Sequence, residues 1–181
     1  VEHTYVDGVC SVCGLADSTE PSEPTVNGYV QVTDIADITA GGQFVIVVNV
    51  DGAYKALGTT MTKNKFASVA VTVENGVVVG ENLPVWTIEA TAGGIALSNA
   101  NGYLKYSTST NFVFATDSYD WSIAAGENGF AITSVAASTR GILYRLSADL
   151  FGAYAISNST NADYTADLLL YKYAEITEDP D

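Results

Sequence analysis

The stretch Val85-Trp86-Thr87-Ile88-Glu89-Ala90 decides how the chain is read. It returns as Trp121-Ser122-Ile123-Ala124-Ala125 and again, with leucine in place of the indole, as Leu168-Leu169-Leu170. A large apolar residue, a variable one and a second aliphatic make a period-2 pattern, which marks a strand with one face on a core. Each copy closes a segment that opens just as regularly, as Gly42-x-Phe44-x-Ile46, Gly93-x-Ile95-x-Leu97 and Asn128-x-Phe130-x-Ile132. Recurrence of this kind points to one supersecondary unit used three times.

Alternation bounded by Gly, Asn and Asp marks four strands in each unit. They cover 43–49, 53–57, 67–73 and 85–90, then 94–99, 103–107, 112–116 and 121–125, then 130–135, 142–146, 152–157 and 168–173. Asn75-Gly76 is a two-residue hairpin signal that adds a further strand at 77–80. The expected fold is all-β, a β-trefoil-like barrel in which six strands close the barrel and three hairpins cap it, removing exposed edges. A two-sheet β-sandwich with a similar number of short strands is the alternative. Ahead of the first unit, Tyr29-Val30-Gln31-Val32 alternates like a strand, and 33–38 reads as one helical turn capped by Thr33.

Composition supports a packed β domain. Of 181 residues 48% are apolar and only 15% charged, well away from disorder, and the enrichment in Val, Ile, Thr and Tyr favours strands. The net charge of −14 repels phosphate backbones, so nucleic acid is not an expected partner. The same field repels anionic lipid, and no apolar run of 18 or more residues occurs, so membrane insertion is not expected either. No basic segment followed by an apolar one opens the chain, so an export signal would have been removed or would lie upstream of Val1.

Four regions follow. Residues 1–14 form a His/Cys segment, 15–28 an acidic, Pro-containing linker, 29–175 the β domain and 176–181 an acidic tail. His3, Cys10 and Cys13 are the only grouping with soft-ligand chemistry, since two thiolates three positions apart can face one tetrahedral ion and His3 can fold back as a third ligand. Zinc would suit them, with a fourth ligand from Asp7, from Asp17, from a cysteine upstream of Val1 or from a second molecule, and the competing reading is a free or oxidised cysteine pair. The β domain requires no cofactor.

Trp86 and Trp121, inside alternating strands, are read as core. Tyr106, Tyr119 and Tyr164 fall outside the repeat frame, beside Ser, Thr, Asn and Asp. With Asp117, Asp120 and Asn161 they are candidate ligand contacts, an aromatic face for sugar C–H groups joined to acceptors for hydroxyls. Ordinary tyrosines at strand ends are the competing reading. Of the two arginines, Arg140 and Arg145, an internal pairing with one of the 21 acids is expected. Catalysis has no support: Asp117 and Asp120 lie in a Thr-Asp-Ser-Tyr-Asp turn rather than across a cleft, and a serine triad would have to recruit His3.

The segment His3-Thr4-Tyr5-Val6-Asp7-Gly8-Val9-Cys10-Ser11-Val12-Cys13-Gly14 resembles a short His-x-Tyr-x-x-Gly-x-Cys-x-x-Cys-Gly element of surface and secreted proteins of anaerobic bacteria. The body from 40 to 173 resembles the loosely defined trefoil-like β modules that accompany secreted hydrolases and adhesins there. Their Gly-x-Tyr-x-Ile, Arg-x-Leu-x-Tyr, Phe-x-Ala-Tyr and Asp-Leu-Tyr-Lys-Tyr-like stretches match Gly42-Gln43-Phe44-Val45-Ile46, Arg140-Gly141-Ile142-Leu143-Tyr144, Phe151-Gly152-Ala153-Tyr154 and 167–173. Phe replaces Tyr in the opening, and one extra residue separates Arg140 from Leu143. The resemblance implies a non-catalytic binding module of a secreted or cell-surface protein, with carbohydrate the leading ligand class. The alternative is a structural or adhesion domain whose partner is an extracellular protein; the sequence does not fix an oligomeric state.

Overall fold

Phe44, Val45, Ile46, Val47 and Val48 are all fully buried, five residues in a row, which requires a strand covered on both faces. The computed structural model describes residues 5–6, 9–10 and 25–177. In chain order the strands are β1 (Tyr5–Val6), β2 (Val9–Cys10), β3 (Thr25–Val32), β4 (Gly42–Val50), β5 (Ala53–Thr62), β6 (Lys65–Glu74), β7 (Val77–Val79), β8 (Trp86–Ala90), β9 (Ile95–Asn99), β10 (Gly102–Tyr106) and β11 (Phe112–Ala115). There follow β12 (Trp121–Ala125), β13 (Phe130–Ser134), β14 (Arg140–Arg145), β15 (Leu150–Ala155), β16 (Tyr164–Thr165) and β17 (Leu169–Thr177). β1 and β2 form an antiparallel ladder of their own, and Asn27–Ala174 pack as one compact unit.

Within that unit the strands close into an antiparallel barrel. β4 pairs β8, β8 pairs β9, β9 pairs β12, β12 pairs β13, the Phe130–Leu168 bridge joins β13 to the start of β17, and β17 returns to β4. The registers along this ring recur. Phe44 opposes Trp86, Ile95 opposes Trp121 and Phe130 opposes Leu168. At the next seam Ile88 opposes Leu97, Ile123 opposes Ile132 and Leu170 opposes Ile46. Because side chains alternate faces along a strand, these matched registers send the same apolar set inward each time, and all but Ile123 are buried in the main core.

Three hairpins, β5–β6, β10–β11 and β14–β15, each bury one phenylalanine fully in that core: Phe66, Phe112 and Phe151. Their ends meet. Phe112 N–H donates to the Asn64 carbonyl at 2.9 Å, Ala153 N–H donates to the Thr110 carbonyl at 3.0 Å, and Phe151 is register partner to Phe66.

A second, smaller core explains the doubly buried β4. Val45 and Val47 face away from the barrel interior and pack with Ala56, Val78 and Tyr171 beneath Tyr29, Tyr54 and Leu169. The β6–β7 hairpin that supplies Val78 turns at Asn75 and Gly76, with φ of 50° and 77°, as the Asn-Gly pair predicts.

Among the boundaries that differ from the sequence reading, β5 runs to Thr62 rather than 57, and β17 runs to Thr177, inside the stretch read as the acidic tail. β3 begins at Thr25, inside the stretch read as linker, and it is held by pairing with β7 (Tyr29 opposite Val78) and by Gln31 N–H donating to Gly76. The helical turn is α1 (Ile35–Thr39), capped by Asp34 rather than Thr33. The Asp34 carboxylate accepts the Ala36 N–H at 2.9 Å, satisfying a first-turn donor.

Candidate functional site

Three hollows that share lining residues form a groove, and turns supply much of its lining. Val50 and Ala53 close the β4–β5 hairpin around Asp51 and Gly52, whose φ values of 51° and 87° make a left-handed two-residue loop. Asn49 braces this loop by accepting the Gly52 N–H on Oδ1 at 2.9 Å, which leaves its NH2 group as the donor. The β12–β13 turn, closed by Gly126 N–H to the Gly129 carbonyl at 2.7 Å, brings up Asn128. The run from β16 into β17 brings Thr165 and Asp167, where Asp167 N–H donates to Thr165 Oγ1 at 3.2 Å.

The middle hollow, about 540 Å³, is lined by Asn49, Asp51, Asn128, Thr165, Asp167 and Leu169 among others. Asn49, Asp51 and Thr165 also line a hollow of about 250 Å³ walled by Tyr164 and Leu146. On the other side Asn128 and Leu169 are shared with a hollow of about 360 Å³ that runs past Phe130 to Gln31. Amides, carboxylates and a hydroxyl therefore stand beside apolar side chains in its lining.

Tyr164 is the best-supported side chain in the groove. Its ring sits edge-on to Tyr154, with centroids 5.1 Å apart, and the Arg145 guanidinium lies 5.6 Å from its centre. Arg145 is in turn fixed by Asp163, whose carboxylate accepts from Arg145 Nε at 2.9 Å and from the backbone and hydroxyl of Ser147. Those donors hold the Asp163 carboxyl below its usual range, the Arg145 hydrogen bond contributing most. The internal pairing expected for one arginine is thus that of Arg145 with Asp163.

Of the six ligand candidates read from the sequence, Tyr164 alone lines the groove. Tyr106, opposite Phe112, and Tyr119 are half-buried against the core. The Tyr119 ring packs edge-on to Trp121 at 5.3 Å and its hydroxyl bonds to the buried Ser134. Asp117 is exposed, Asp120 is half-buried with its carboxylate against Gly93, and Asn161 accepts the Asp163 N–H at 3.0 Å in the turn leading to Tyr164. Sequence reasoning missed Asn49, Asp51, Asn128, Thr165 and Asp167, because their convergence depends on barrel closure. Asp51-Gly52 and Asn128-Gly129, left-handed or tight-turn pairs at strand ends, were the available signal.

A second polar cluster ties two hairpins together. Asp149 Oδ1 accepts from Lys55 Nζ at 2.8 Å, from Ser68 Oγ and from Tyr144 OH. The Lys55 bond, then those from Ser68 and Tyr144, hold the Asp149 carboxyl at about 2, while Lys55 is pushed up by the same contact. A carboxylate so held stays ionised near neutrality, which suits a brace between β5–β6 and β14–β15 rather than a proton donor.

His3 and Cys13 lie outside the described residues, as does the side chain of Cys10. Among the described residues no group of three or more His, Cys, Asp or Glu side chains is placed to hold a metal, and no helix is long and apolar enough to cross a membrane. No protein family, curated protein or solved structure matches the chain.

Proposed function

We propose that residues 27–174 are a β-trefoil module of three four-stranded units and that it binds carbohydrate without catalysing a reaction, as part of a secreted or cell-surface bacterial protein. The trefoil reading rests on registers that recur three times around the ring, from Phe44–Trp86 to Ile95–Trp121 to Phe130–Leu168, and on the three phenylalanines delivered by three hairpins. Such closure leaves loops free to carry a site on a rigid frame.

The observation that carries the binding reading is the groove, where the Tyr164 wall adjoins Asn49, Asp51 and Thr165. A sugar ring offers an apolar C–H face and a rim of hydroxyls that both donate and accept. A tyrosine ring meets the first, and amide and carboxylate groups meet the second. The nearest carboxylates, Asp51 and Asp167, sit on turns in an open groove rather than in a closed, dry pocket, so hydrolysis has no support.

Glycan-array binding of the wild type beside Tyr164→Ala and Asn49→Ala tests this. The reading requires a bound glycan and a signal lost in both variants. Absence of any glycan bound by the wild type would leave the structural or adhesion role in its place.

A further inference from the structure

The groove consists of three compartments, each sharing residues with the next, and every one carries a carboxamide. Gln31 and Asn128 accompany Phe130 in the first, Asn128 and Asn49 accompany Leu169 in the second, and Asn49 accompanies Tyr164 and Leu146 in the third. Every compartment thus pairs a carboxamide with an apolar patch, and Asn49, whose Oδ1 already accepts the Gly52 N–H, serves as a donor. Asn128 and Asn49 stand at the two junctions, where one amide serves both neighbours.

The charge along the groove has one sign. Glu127 faces the first compartment, Asp51 and Asp167 the second, and Asp51 the third; among the described residues no lysine or arginine lines any of them. A carboxylate or sulfate brought in would meet like charges, and the Arg145 guanidinium beside Tyr164 is paired with Asp163, on a chain already at −14.

We infer that the groove holds an extended glycan of several neutral or amino-bearing sugar units, one per compartment, and discriminates against uronate and sulfated chains. This rests on the carbohydrate reading above and adds to it chain length and charge. Contacts repeated along a line make affinity grow with each unit until the compartments are filled. The carboxylates add attraction for an ammonium-bearing sugar, and that part weakens with salt.

Calorimetric titration of the full chain with β-1,4-linked glucose, N-acetylglucosamine and glucosamine oligomers of one to six units, and with galacturonate oligomers, tests it. Kd is expected to fall at least about tenfold from one unit to three and then to level off. Glucosamine oligomers should bind tighter than their N-acetylated counterparts, and galacturonate should not bind. Asp51→Asn and Asp167→Asn should erase the glucosamine preference while leaving neutral chains bound; Asn suits the left-handed φ at position 51. Asn128→Trp, at an exposed turn position, should block three-unit chains while single units still bind at the Tyr164 end, with an unchanged melting temperature showing an intact fold. Affinity independent of length, galacturonate binding as well as glucose, or a basic hexapeptide binding tighter than every glycan would each overturn the inference. The first two leave the carbohydrate reading standing; no binding to any sugar would sink both.

Discussion

Trp86 donates its indole N–H to the carbonyl of Leu57 at 3.2 Å, inside a fully buried pocket of the barrel. Trp121 makes the matching bond to Leu104 at 2.9 Å. Trp86 so links β8 to β5 and Trp121 links β12 to β10, each indole filling the core while its N–H is satisfied by a backbone carbonyl. At the corresponding ring position Leu168 supplies bulk alone.

Trp86→Phe and Trp121→Phe should each destabilise the fold by about 2–4 kcal/mol, combining a void with an orphaned carbonyl. Urea unfolding measures this. A loss under about 1 kcal/mol in both would mean that the indole bonds contribute little.

Gly94→Ala should be more damaging than Gly76→Ala, although both glycines have positive φ. At Gly94 (φ 153°) a Cβ would come within 2.2 Å of the Trp121 carbonyl oxygen, which is ladder backbone and cannot swing away. At Gly76 (φ 77°) a Cβ meets nothing within 4 Å, so only the backbone strain of about 1 kcal/mol is expected. Equal melting temperatures for the two variants would contradict the close approach.

Asp149 gives the fold an acid-sensitive brace. Its folded carboxyl is held at about 2, below the ordinary 3.8, so its contribution is present above pH 4 and is lost as the pH falls through about 2. The side chain is 57% exposed, which cuts the full linkage figure of about 2 kcal/mol to about 1 kcal/mol or less. Unfolding free energy followed from pH 5 to pH 2 should decline less steeply in Asp149→Asn than in the wild type. Parallel curves would remove Asp149 from the account.

Arg145→Met should weaken glycan binding without touching the groove lining, because the Arg145 guanidinium packs near the Tyr164 ring that Tyr154 meets edge-on. A loss of about three- to tenfold in affinity is expected, with a smaller change in stability since the Arg145–Asp163 pair is partly exposed. Unaltered affinity would show that Tyr164 is placed by Tyr154 alone.

The strands and their inward faces were readable because period-2 alternation reports burial directly: Phe44, Ile46, Trp86, Ile95, Leu97 and Trp121 all face the core. The second cover over β4 was not readable. Val45 and Val47 are buried by Tyr171 and Val78, contacts that no local pattern in 43–49 announces. The tyrosines went the same way. Tyr106 and Tyr119 stand among polar neighbours in sequence, yet barrel curvature packs both against the core, Tyr119 edge-on to Trp121, whereas Tyr164 lines the groove. Asn49, Asn128 and Asp167 are far apart in the chain and meet only through the Phe130–Leu168 bridge and the β4–β17 pairing, so their cooperation belongs to topology.

The most direct test is a two-dimensional amide NMR titration of the 15N-labelled chain with the β-1,4-linked oligomer that binds it best. Shifts should cluster at Asn49–Gly52, Asn128 and Tyr164–Leu169, leaving Tyr106 and Tyr119 still. Shifts centred instead on Tyr106, Asp117 and Tyr119, or none with any oligomer, would contradict a glycan groove on this barrel.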